Sequence, residues 1–240
     1  MAKKIIEVLF GEICGLNGDL YNIEYLKQID DNIEVIKTSL FQKPAFLDKH
    51  VDLVYMGSLK ESHYQYAINA LKDYKEDIQI ALEKGQLFLA NGNSYEIFGQ
   101  YIDDIKALGI FDYHAFTDFK LHHHSAVVAK FNDIEIYSFI CTFSYVENIK
   151  EHFVDVIKGY GDYDDRSHEG IHYKNFIGTH IQGPLLVHNG EFTKYILKMM
   201  GIDKPLKYES TVNSVYQLRK EMFYKKNIED GVYWPTRGGK

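Results

Sequence analysis

The stretch Gln86–Gly99, QLFLANGNSYEIFG, constrains the fold of this chain more than any other. Its apolar run Leu87–Ala90 has the length and composition of a buried central strand. Turn-forming residues follow, and the pattern from Tyr95 onward predicts an amphipathic helix. Strand, tight turn and helix together predict the elbow that presents a nucleophile at the carboxyl edge of an α/β sheet, beside a helix N-terminus that favours anions. This turn carries no cysteine, and its only hydroxyl belongs to Ser94.

The elements around this elbow predict an α/β fold. Strand-like runs and helical patterns alternate before it, at Ile5–Phe10, Leu20–Gln28, Ile33–Leu40, Asp52–Met56 and His63–Lys84, the last with a possible break near Asp73. This alternation predicts a mostly parallel sheet with helices on both faces. Strand-like runs follow at His114–His123, Ala126–Phe131 and Ile134–Thr142, with a hairpin turn at Asn132-Asp133 between the last two. With no linker in the sequence, we predict one domain over residues 1–240 and a poorly ordered tail from about residue 228.

Composition excludes several classes of function. The net charge of −7 argues against a nucleic-acid or acidic-membrane partner. No apolar run is long enough to span a membrane, and the N-terminal MAKKIIEVLF predicts a strand rather than a signal peptide. Two cysteines, Cys14 and Cys141, make neither a disulfide framework nor a metal site. We therefore predict a cytoplasmic protein.

Several motifs carry a family resemblance. The block IKGYGDYDDRSHEGIHYKNFIGTHIQGPLL, with Gly178-Thr179 and Gly183-Pro184, is the most specific of them. Gly18, Asp19 and Asn22 match a second motif near the start of the chain, and Gly57 a third. In these motifs the chain resembles class I glutamine amidotransferases of the cobyric-acid-synthase-like branch, and most closely the glutaminase subunit of lipid II isoglutaminyl synthase. The resemblance implies a three-layer sandwich with a mostly parallel central sheet.

The catalytic positions that the resemblance implies are substituted. Gly92 stands at the position of the family's nucleophilic cysteine, and Gln182 at that of its general-base histidine. Asn93 and Ser94 replace two glycines of the elbow, Glu96 replaces a glutamine, and His180 stands where the family has a tyrosine. Glycine has no side chain to attack an amide, and a glutamine side chain does not accept a proton near neutral pH. The sequence therefore predicts that glutamine hydrolysis has been lost.

The resemblance also implies what the protein would do without this chemistry. A binding or scaffolding subunit would pair with a Mur-ligase-like or other ATP-dependent amidoligase subunit. Polar groups at the elbow could still bind a small amide or amino acid. The candidate pocket residues are Gly57, Ser58, Asn91, Asn93, Asp19 and Asn22. Asp19 is equally well placed to cap the first helix, which would explain it without any function.

Two alternatives remain open. In the first, the chain is a hydrolase of different chemistry that uses Ser94 with His180, which lies two residues before the vacated histidine position and points to the same sheet face. Against it, Ser94 can also be interpreted as the cap of a helix that begins at Tyr95. In the second, the chain is an active glutaminase, and its true alignment with the family brings a cysteine into the elbow. Against it, the sequence places both cysteines away from the elbow.

Neither a metal nor a cofactor is predicted. His122 and His124 would face one side of a strand and His123 the other, with no carboxylate or cysteine within a few residues to complete a site. The acidic loop with Asp162, Asp164, Asp165 and Glu169 is interpreted as solvated.

Overall fold

The computed structural model describes residues 3–161, 166–225 and 232–235. Up to the elbow, strands and α-helices alternate in the order β1 Lys4–Leu9, α1 Tyr21–Ile29, β2 Ile33–Thr38, β3 Leu53–Met56, α2 Tyr64–Leu71, α3 Lys75–Glu83 and β4 Phe88–Asn91.

Beyond the elbow the described residues are mainly strands. They are β5 Tyr101–Ile102, β6 Ile105–Lys106, β7 His114–Thr117, β8 Leu121–Phe131, β9 Ile134–Thr142, β10 Ser144–Glu147, β11 His152–Lys158, β12 His168–Tyr173, β13 Phe176–Thr179 and β14 Ile181–Gln182. Three helices and a strand follow: α4 Leu185–His188, α5 Gly190–Met199, α6 Glu209–Lys225 and β15 Val232–Pro235.

One large sheet positions the elbow. Its strand order is β14-β9-β8-β11-β12-β13-β4-β3-β1-β2, with β15 paired to β8. The strands β2, β1, β3, β4 and β13 run parallel, whereas the ladders from β13 through β12 to β14 are antiparallel. The carboxyl ends of β3, β4 and β13 therefore meet at one edge of the sheet, where α/β proteins hold their ligands. A second sheet pairs β10, β7, β5 and β6.

The two faces of the large sheet carry separate cores. On one face Ile6, Tyr55 and Leu89 pack with residues of α1 and α5. On the other face, Met56 and Phe88 pack with residues of α2 and α3. Helices on both faces of a central sheet confirm the predicted three-layer α/β sandwich.

The helix break and the hairpin turn that the sequence predicts are both present in the structure. The long helical pattern from His63 does break, because residues 72–74 form a 3₁₀ turn between α2 and α3. The hairpin turn between β8 and β9 is confirmed, with Asn132 in the left-handed region at a φ of 52°. The strand predicted over His114–His123 is in fact two, β7 and β8.

The prediction of an amphipathic helix that begins at Tyr95 is wrong. Residues 92–98 form a 3₁₀ helix, and all seven of them are buried. The carbonyls that would continue an α-helix accept hydrogen bonds from a crossing loop instead: Ile97 from the Leu108 N–H, and Phe98 from the Ile110 N–H. The loop ends the helix at Gly99.

Some predictions concern residues that the structure does not describe. The acidic loop residues Asp162, Asp164 and Asp165 lie outside the described residues. So does most of the tail from residue 228, whose described part is the strand β15. The prediction that Glu169 is solvated with the acidic loop is wrong: Glu169 is buried on β12, and its carboxylate accepts hydrogen bonds from Oγ1 of Thr179 at 2.5 Å and from the His180 N–H at 2.6 Å. The assignment of residues 1–240 to one domain stays a prediction.

Candidate functional site

Gly92 occupies the turn of the elbow in a left-handed conformation, with a φ of +67°. This is the sharp strand-to-helix geometry that a nucleophile elbow requires. A Cβ built on Gly92 would lie 3.1 Å from Cα and 3.2 Å from Oγ of Ser58, and closer still to its Cβ. The turn that follows β3 therefore fills the space into which a side chain at residue 92 would project.

That same turn has its amide groups occupied. The Ser58 N–H donates to Oδ2 of Asp19 at 2.8 Å, and the Leu59 N–H donates to Oδ1 of Asn93 at 3.0 Å. The resemblance places the family's oxyanion hole at this turn, next to Gly57. An oxyanion hole needs N–H groups that are aimed at the developing charge. Here both of these N–H groups already donate to side chains of the protein.

Asp19 connects the turn after β3 to the turn after β14. Its carboxylate accepts hydrogen bonds from the Ser58 N–H, from Oγ of Ser58 at 2.5 Å and from the Gly183 N–H at 2.7 Å. Burial raises the pKa of Asp19 to about 6, although the hydrogen bonds from Ser58 and Gly183 favour the charged form. The prediction that Asp19 caps the first helix is wrong: Leu20 precedes α1, and no side chain caps its N-terminus. The carboxylate is instead used by the two turns.

Asn22 and Asn91 bond each other behind the elbow. The amide of Asn22 donates to the Tyr55 hydroxyl at 3.0 Å, to Oδ1 of Asn91 at 3.2 Å and to the Gly183 carbonyl at 3.1 Å. Its oxygen accepts from the Leu186 N–H at 2.8 Å, and the Asn91 amide donates to the Ile181 carbonyl. The sequence predicts that Asn22 and Asn91 offer hydrogen-bond donors and acceptors to a ligand. Both side chains are buried, and they hydrogen-bond each other.

Gln182, which the resemblance places at the position of the family's histidine, is also buried. Its Oε1 accepts a hydrogen bond from Nδ2 of Asn17 at 2.7 Å, and its carbonyl accepts one from Oγ of Ser138 at 2.8 Å. These contacts hold Gln182 through neutral hydrogen bonds. An amide in this place cannot relay protons as an imidazole does.

A chain of buried polar groups runs from the elbow to His180. Nε2 of His180 lies 2.7 Å from Oε1 of Glu96, and Nδ1 lies 3.1 Å from the Tyr95 hydroxyl. The other Glu96 oxygen accepts from the Tyr64 hydroxyl at 2.7 Å, and that hydroxyl accepts from Nδ2 of Asn93 at 2.9 Å. Ser144 also donates to Glu96. Glu96 and His180, two positions at which the resemblance implies substitutions, therefore contact each other.

The structure does not bring Ser94 and His180 together as a hydrogen-bonded pair. Oγ of Ser94 donates to the carbonyls of Met56 at 3.1 Å and Asn91 at 3.0 Å, while the imidazole of His180 contacts Tyr95 and Glu96. Ser94 also lies inside the 3₁₀ helix rather than at its cap. Its hydroxyl stabilises the elbow by bonding strand-end carbonyls.

Cys14 lies closer to the elbow than the sequence predicts. Its backbone forms an isolated antiparallel bridge with Leu59, the residue after Ser58. The side chain is buried, and burial raises the pKa of its thiol well above the usual range, with the charges of Glu12 and Asp19 acting in the same direction. A thiol that stays protonated is a poor nucleophile. Cys141 is on β9, where its Sγ lies 3.2 Å from Nε2 of His122.

The histidine run follows the predicted alternation along β8. The rings of His122 and His124 are neighbours, with centroids 6.0 Å apart, whereas His123 packs against Tyr160. Over residues 3–161, 166–225 and 232–235, no group of three or more His, Cys, Asp or Glu side chains is arranged to hold a metal ion. In the same ranges, no helix combines the length and apolar character needed to cross a membrane.

Sequence reasoning missed several members of this site. The side chains that it did not single out are Asn17, Tyr55, Tyr64, Ser138 and Ser144. The sequence gives only a weak indication of Tyr64, which is the first residue of the apolar pattern of α2. Glu96 itself was singled out, but its partners were not, although a carboxylate in an otherwise apolar buried run needs a partner.

Two characterised proteins resemble this chain over most of its length. The chain is 26% identical over 211 residues to the lipid II isoglutaminyl synthase (glutamine-hydrolyzing) subunit GatD of Staphylococcus aureus, covering 81% of this chain and 83% of that protein. It is 23% identical over 198 residues to the GatD subunit of Streptococcus pneumoniae, covering 75% and 74%. The chain is a glutamine-amidotransferase-like protein close to GatD. No family model matches it.

A solved structure supports the fold of this glutamine-amidotransferase-like chain. A crystal structure of a glutamine amidotransferase superposes with a TM-score of 0.55, at 11% sequence identity, and covers 82% of this chain and 99% of that one. At this identity the likeness concerns the fold alone. The likeness therefore says nothing of the side chains at the elbow or at the turns after β3 and β14.

Proposed function

We propose that this glutamine-amidotransferase-like chain is a GatD relative without glutaminase activity, which acts as a binding or scaffolding subunit. One observation carries the proposal: Ser58 fills the side-chain space at Gly92, while Asp19 and Asn93 occupy the adjacent amide groups. Hydrolysis through a thioester needs a thiolate at the elbow and unoccupied donors for the oxyanion. Neither requirement is met at these positions.

The loss of the general base supports the same proposal. Gln182 is bonded to Asn17, and an amide takes no proton from a nucleophile at neutral pH. Removing one member of a catalytic triad lowers kcat by about 10⁴–10⁶-fold. Without both nucleophile and base, this route gives no measurable turnover.

The substitutions also compensate one another. Asn93 caps the Leu59 N–H, and Glu96 pairs with His180, so the replaced family positions bond each other within the protein. Buried polar groups that are fully hydrogen-bonded make a site rigid. A closed site of this kind suits a structural subunit better than a site that must admit and release a substrate.

The partner is inferred from the relatives. GatD is by name a subunit of a synthase. We propose that this chain pairs in the same way with a Mur-ligase-like or other ATP-dependent amidoligase subunit. Binding of a small amide or amino acid at the elbow would require the side chains around Asn91 and Asn93 to move apart, because they are buried against one another.

Ammonia release from glutamine tests the catalytic part of the proposal. The purified chain should release no ammonia above a buffer blank, alone or with a Mur-ligase-like subunit from the same organism, while a glutamine-hydrolysing GatD assayed in parallel does. Incubation with a diazoketone analogue of glutamine, followed by intact-mass analysis, should leave the chain unmodified. Turnover that copurifies with the chain would overturn the proposal, and an adduct mapped to Cys14 would identify the nucleophile.

Complex formation tests the scaffolding part. Coexpression with the Mur-ligase-like subunit should give a complex of defined stoichiometry by light scattering after size-exclusion chromatography. Separate elution at micromolar concentration would contradict a scaffolding role, whatever the ammonia assay shows.

A further inference from the structure

The face of the β8–β9 hairpin that carries His122 and His124 also carries a cysteine from the neighbouring strand. Cys141 lies directly opposite His124 in the antiparallel register. Residues that oppose each other across two strands point to the same side of the sheet, and so do residues two positions apart on one strand. His122, His124 and Cys141 therefore share one side. The sequence alone does not indicate this grouping, because the cysteine belongs to the next strand.

Two of these three side chains already lie near the separation of two ligands on one metal ion. Nε2 of His122 is 3.2 Å from Sγ of Cys141. A tetrahedral zinc ion, with bonds of about 2.1 Å to nitrogen and about 2.3 Å to sulfur, holds two such atoms about 3.5 Å apart. An ion that bridges this pair therefore has to separate the two atoms only slightly.

His124 is the candidate for a third ligand. Its ring centroid lies 6.0 Å from that of His122, whereas two imidazoles on one tetrahedral zinc ion have centroids about 5 Å apart. The three side chains do not yet converge on one point, in keeping with the absence of a preformed cluster of metal ligands from the described part of the chain. His124 is exposed, and an exposed side chain changes rotamer freely, so its ring can turn toward the pair without disturbing the core.

The surroundings of the pair restrain one ligand and carry negative charge. The ring of Phe143 stacks on His122, with centroids 4.5 Å apart and an interplanar angle of 17°, and this contact restricts the imidazole plane. Burial raises the pKa of the Cys141 thiol, and the negative charge of Glu61 acts in the same direction. The same charge on Glu61 stabilises a divalent cation bound beside it. Cys141 is only half-buried, so an ion can reach the sulfur from solvent.

We propose that His122, Cys141 and His124 bind a zinc ion on this face of the hairpin, with water as the fourth ligand. Imidazole and thiolate are the ligands that zinc prefers in proteins. On binding, the thiol releases its proton to solvent and the sulfur donates an electron pair to the ion, so nothing is oxidised or reduced. The ion cross-links β8 to β9, the strand that also pairs with β14 and thus with Gln182. The inference goes beyond the proposed function and does not depend on it.

Cobalt substitution tests the site on the full chain, purified without a polyhistidine tag and freed of metal with a chelator. Titration with Co²⁺ should give a thiolate-to-cobalt charge-transfer band in the near ultraviolet that saturates at one ion per chain, and Zn²⁺ should abolish the band by displacing Co²⁺. Cys141→Ser should lose the band, whereas Cys14→Ser, which alters the buried cysteine, should retain it.

The two histidines are tested by the affinity of the same titration. His122→Gln and His124→Gln should each weaken Kd by at least about 10-fold, the loss that removal of even an outer partner of a zinc ligand causes. His50→Gln is the matched control, because it removes an exposed histidine outside the hairpin. It should leave Kd within about twofold. Thermal unfolding of every variant separates a lost ligand from a lost fold.

Alkylation of the wild type provides a readout that needs no variant. One equivalent of Zn²⁺ should slow the labelling of Cys141 by iodoacetamide by about 10-fold or more, as measured by peptide mass analysis, because a metal-bound sulfur is a poorer nucleophile than a free thiolate. A wild type without the cobalt band, or a band that survives Cys141→Ser, overturns the inference. A band that depends on Cys141 but on neither histidine also overturns it, since the ion is then held by the thiol alone. None of these outcomes changes the results of the ammonia and complex-formation assays, so the proposed function stands or fails separately.

Discussion

Ser58 lies against Gly92 so closely that residue 92 has no room for a side chain. A Cβ at this position would approach Cα of Ser58 to 3.1 Å, on a backbone with a φ of +67° that favours glycine. A side chain at residue 92 therefore requires Ser58 to move.

Gly92→Cys should lower the free energy of unfolding by about 2–4 kcal/mol, from overpacking together with left-handed strain. Adding Ser58→Gly should recover part of this loss, because it removes the Cβ and Oγ that the new side chain meets. Urea denaturation of the single and double variants measures both effects.

Gly11→Cys is the control for this series. A Cβ at Gly11 would make only an ordinary contact, 3.5 Å from Val8, so its cost should be small. A Gly92→Cys protein as stable as the wild type would show that the turn after β3 moves aside easily, and that the elbow can still accept a nucleophile.

Asp19→Asn should destabilise the protein, since an amide cannot accept all the hydrogen bonds that Ser58 and Gly183 donate to the carboxylate. We expect a loss of about 2 kcal/mol near neutral pH. The loss should be larger in acid. Because the pKa of Asp19 is raised in the folded state to about 6, the pH-dependent part of its contribution to stability is fully present below its ordinary pKa and is lost as the pH rises through about 6. The hydrogen-bond part remains at neutral pH.

Urea unfolding of wild type and Asp19→Asn at pH 4.5 and pH 7 tests this sign. The difference between the two proteins should be greater at pH 4.5. Asp30→Asn provides the opposite case, because Lys204 lowers the pKa of Asp30, so its contribution is present above the ordinary pKa and lost in acid. A difference for Asp19 that shrinks in acid would mean that the carboxylate is charged in the folded protein.

The parallel half of the fold could be predicted because the segments that show a strand or helix periodicity are long. The runs that became β1 to β4 and α1 to α3 extend over enough residues for the apolar pattern to distinguish strand from helix. The strands Tyr101–Ile102 and Ile105–Lys106 are too short to show any alternation. The 3₁₀ helix at the elbow was mistaken for an α-helix because a distant loop decides where it ends.

The contacts of the candidate site could not be predicted. The assignment of Gly92 and Gln182 to the family's catalytic positions stays a prediction, and no local pattern indicates that Ser58 lies on Gly92, or that Glu96 lies 2.7 Å from His180 across 84 residues of sequence. The contacts of Asp19 could not be predicted either. Its sequence neighbours favour a helix cap, whereas in the folded chain its carboxylate bonds the turns after β3 and β14.

Tyr64→Phe should reduce stability by about 2–3 kcal/mol, because it leaves two buried groups, Oε2 of Glu96 and Nδ2 of Asn93, without the hydroxyl that joins them. The control is Tyr66→Phe on the same helix, where the side chain is 60% exposed and the change should cost less than about 0.5 kcal/mol. Urea denaturation provides both values.

A double-mutant cycle with Glu96→Gln measures the coupling directly. If Tyr64 and Glu96 act as one network, their losses should be non-additive by more than about 0.5 kcal/mol. Additive losses would show that the chain from Asn93 to His180 is a set of independent contacts, and would weaken the argument that the substituted positions compensate one another.

Ser94 should behave as a structural hydroxyl and not as a nucleophile. It donates to the Met56 and Asn91 carbonyls, and His180 is bonded elsewhere, so no base is in place to activate it. A fluorophosphonate probe should therefore leave the native protein unlabelled while it labels a serine hydrolase in the same experiment. Ser94→Ala should cost about 1 kcal/mol of stability. Labelling of the wild type that disappears in Ser94→Ala would establish a serine nucleophile at this elbow and replace the scaffolding proposal with a hydrolase.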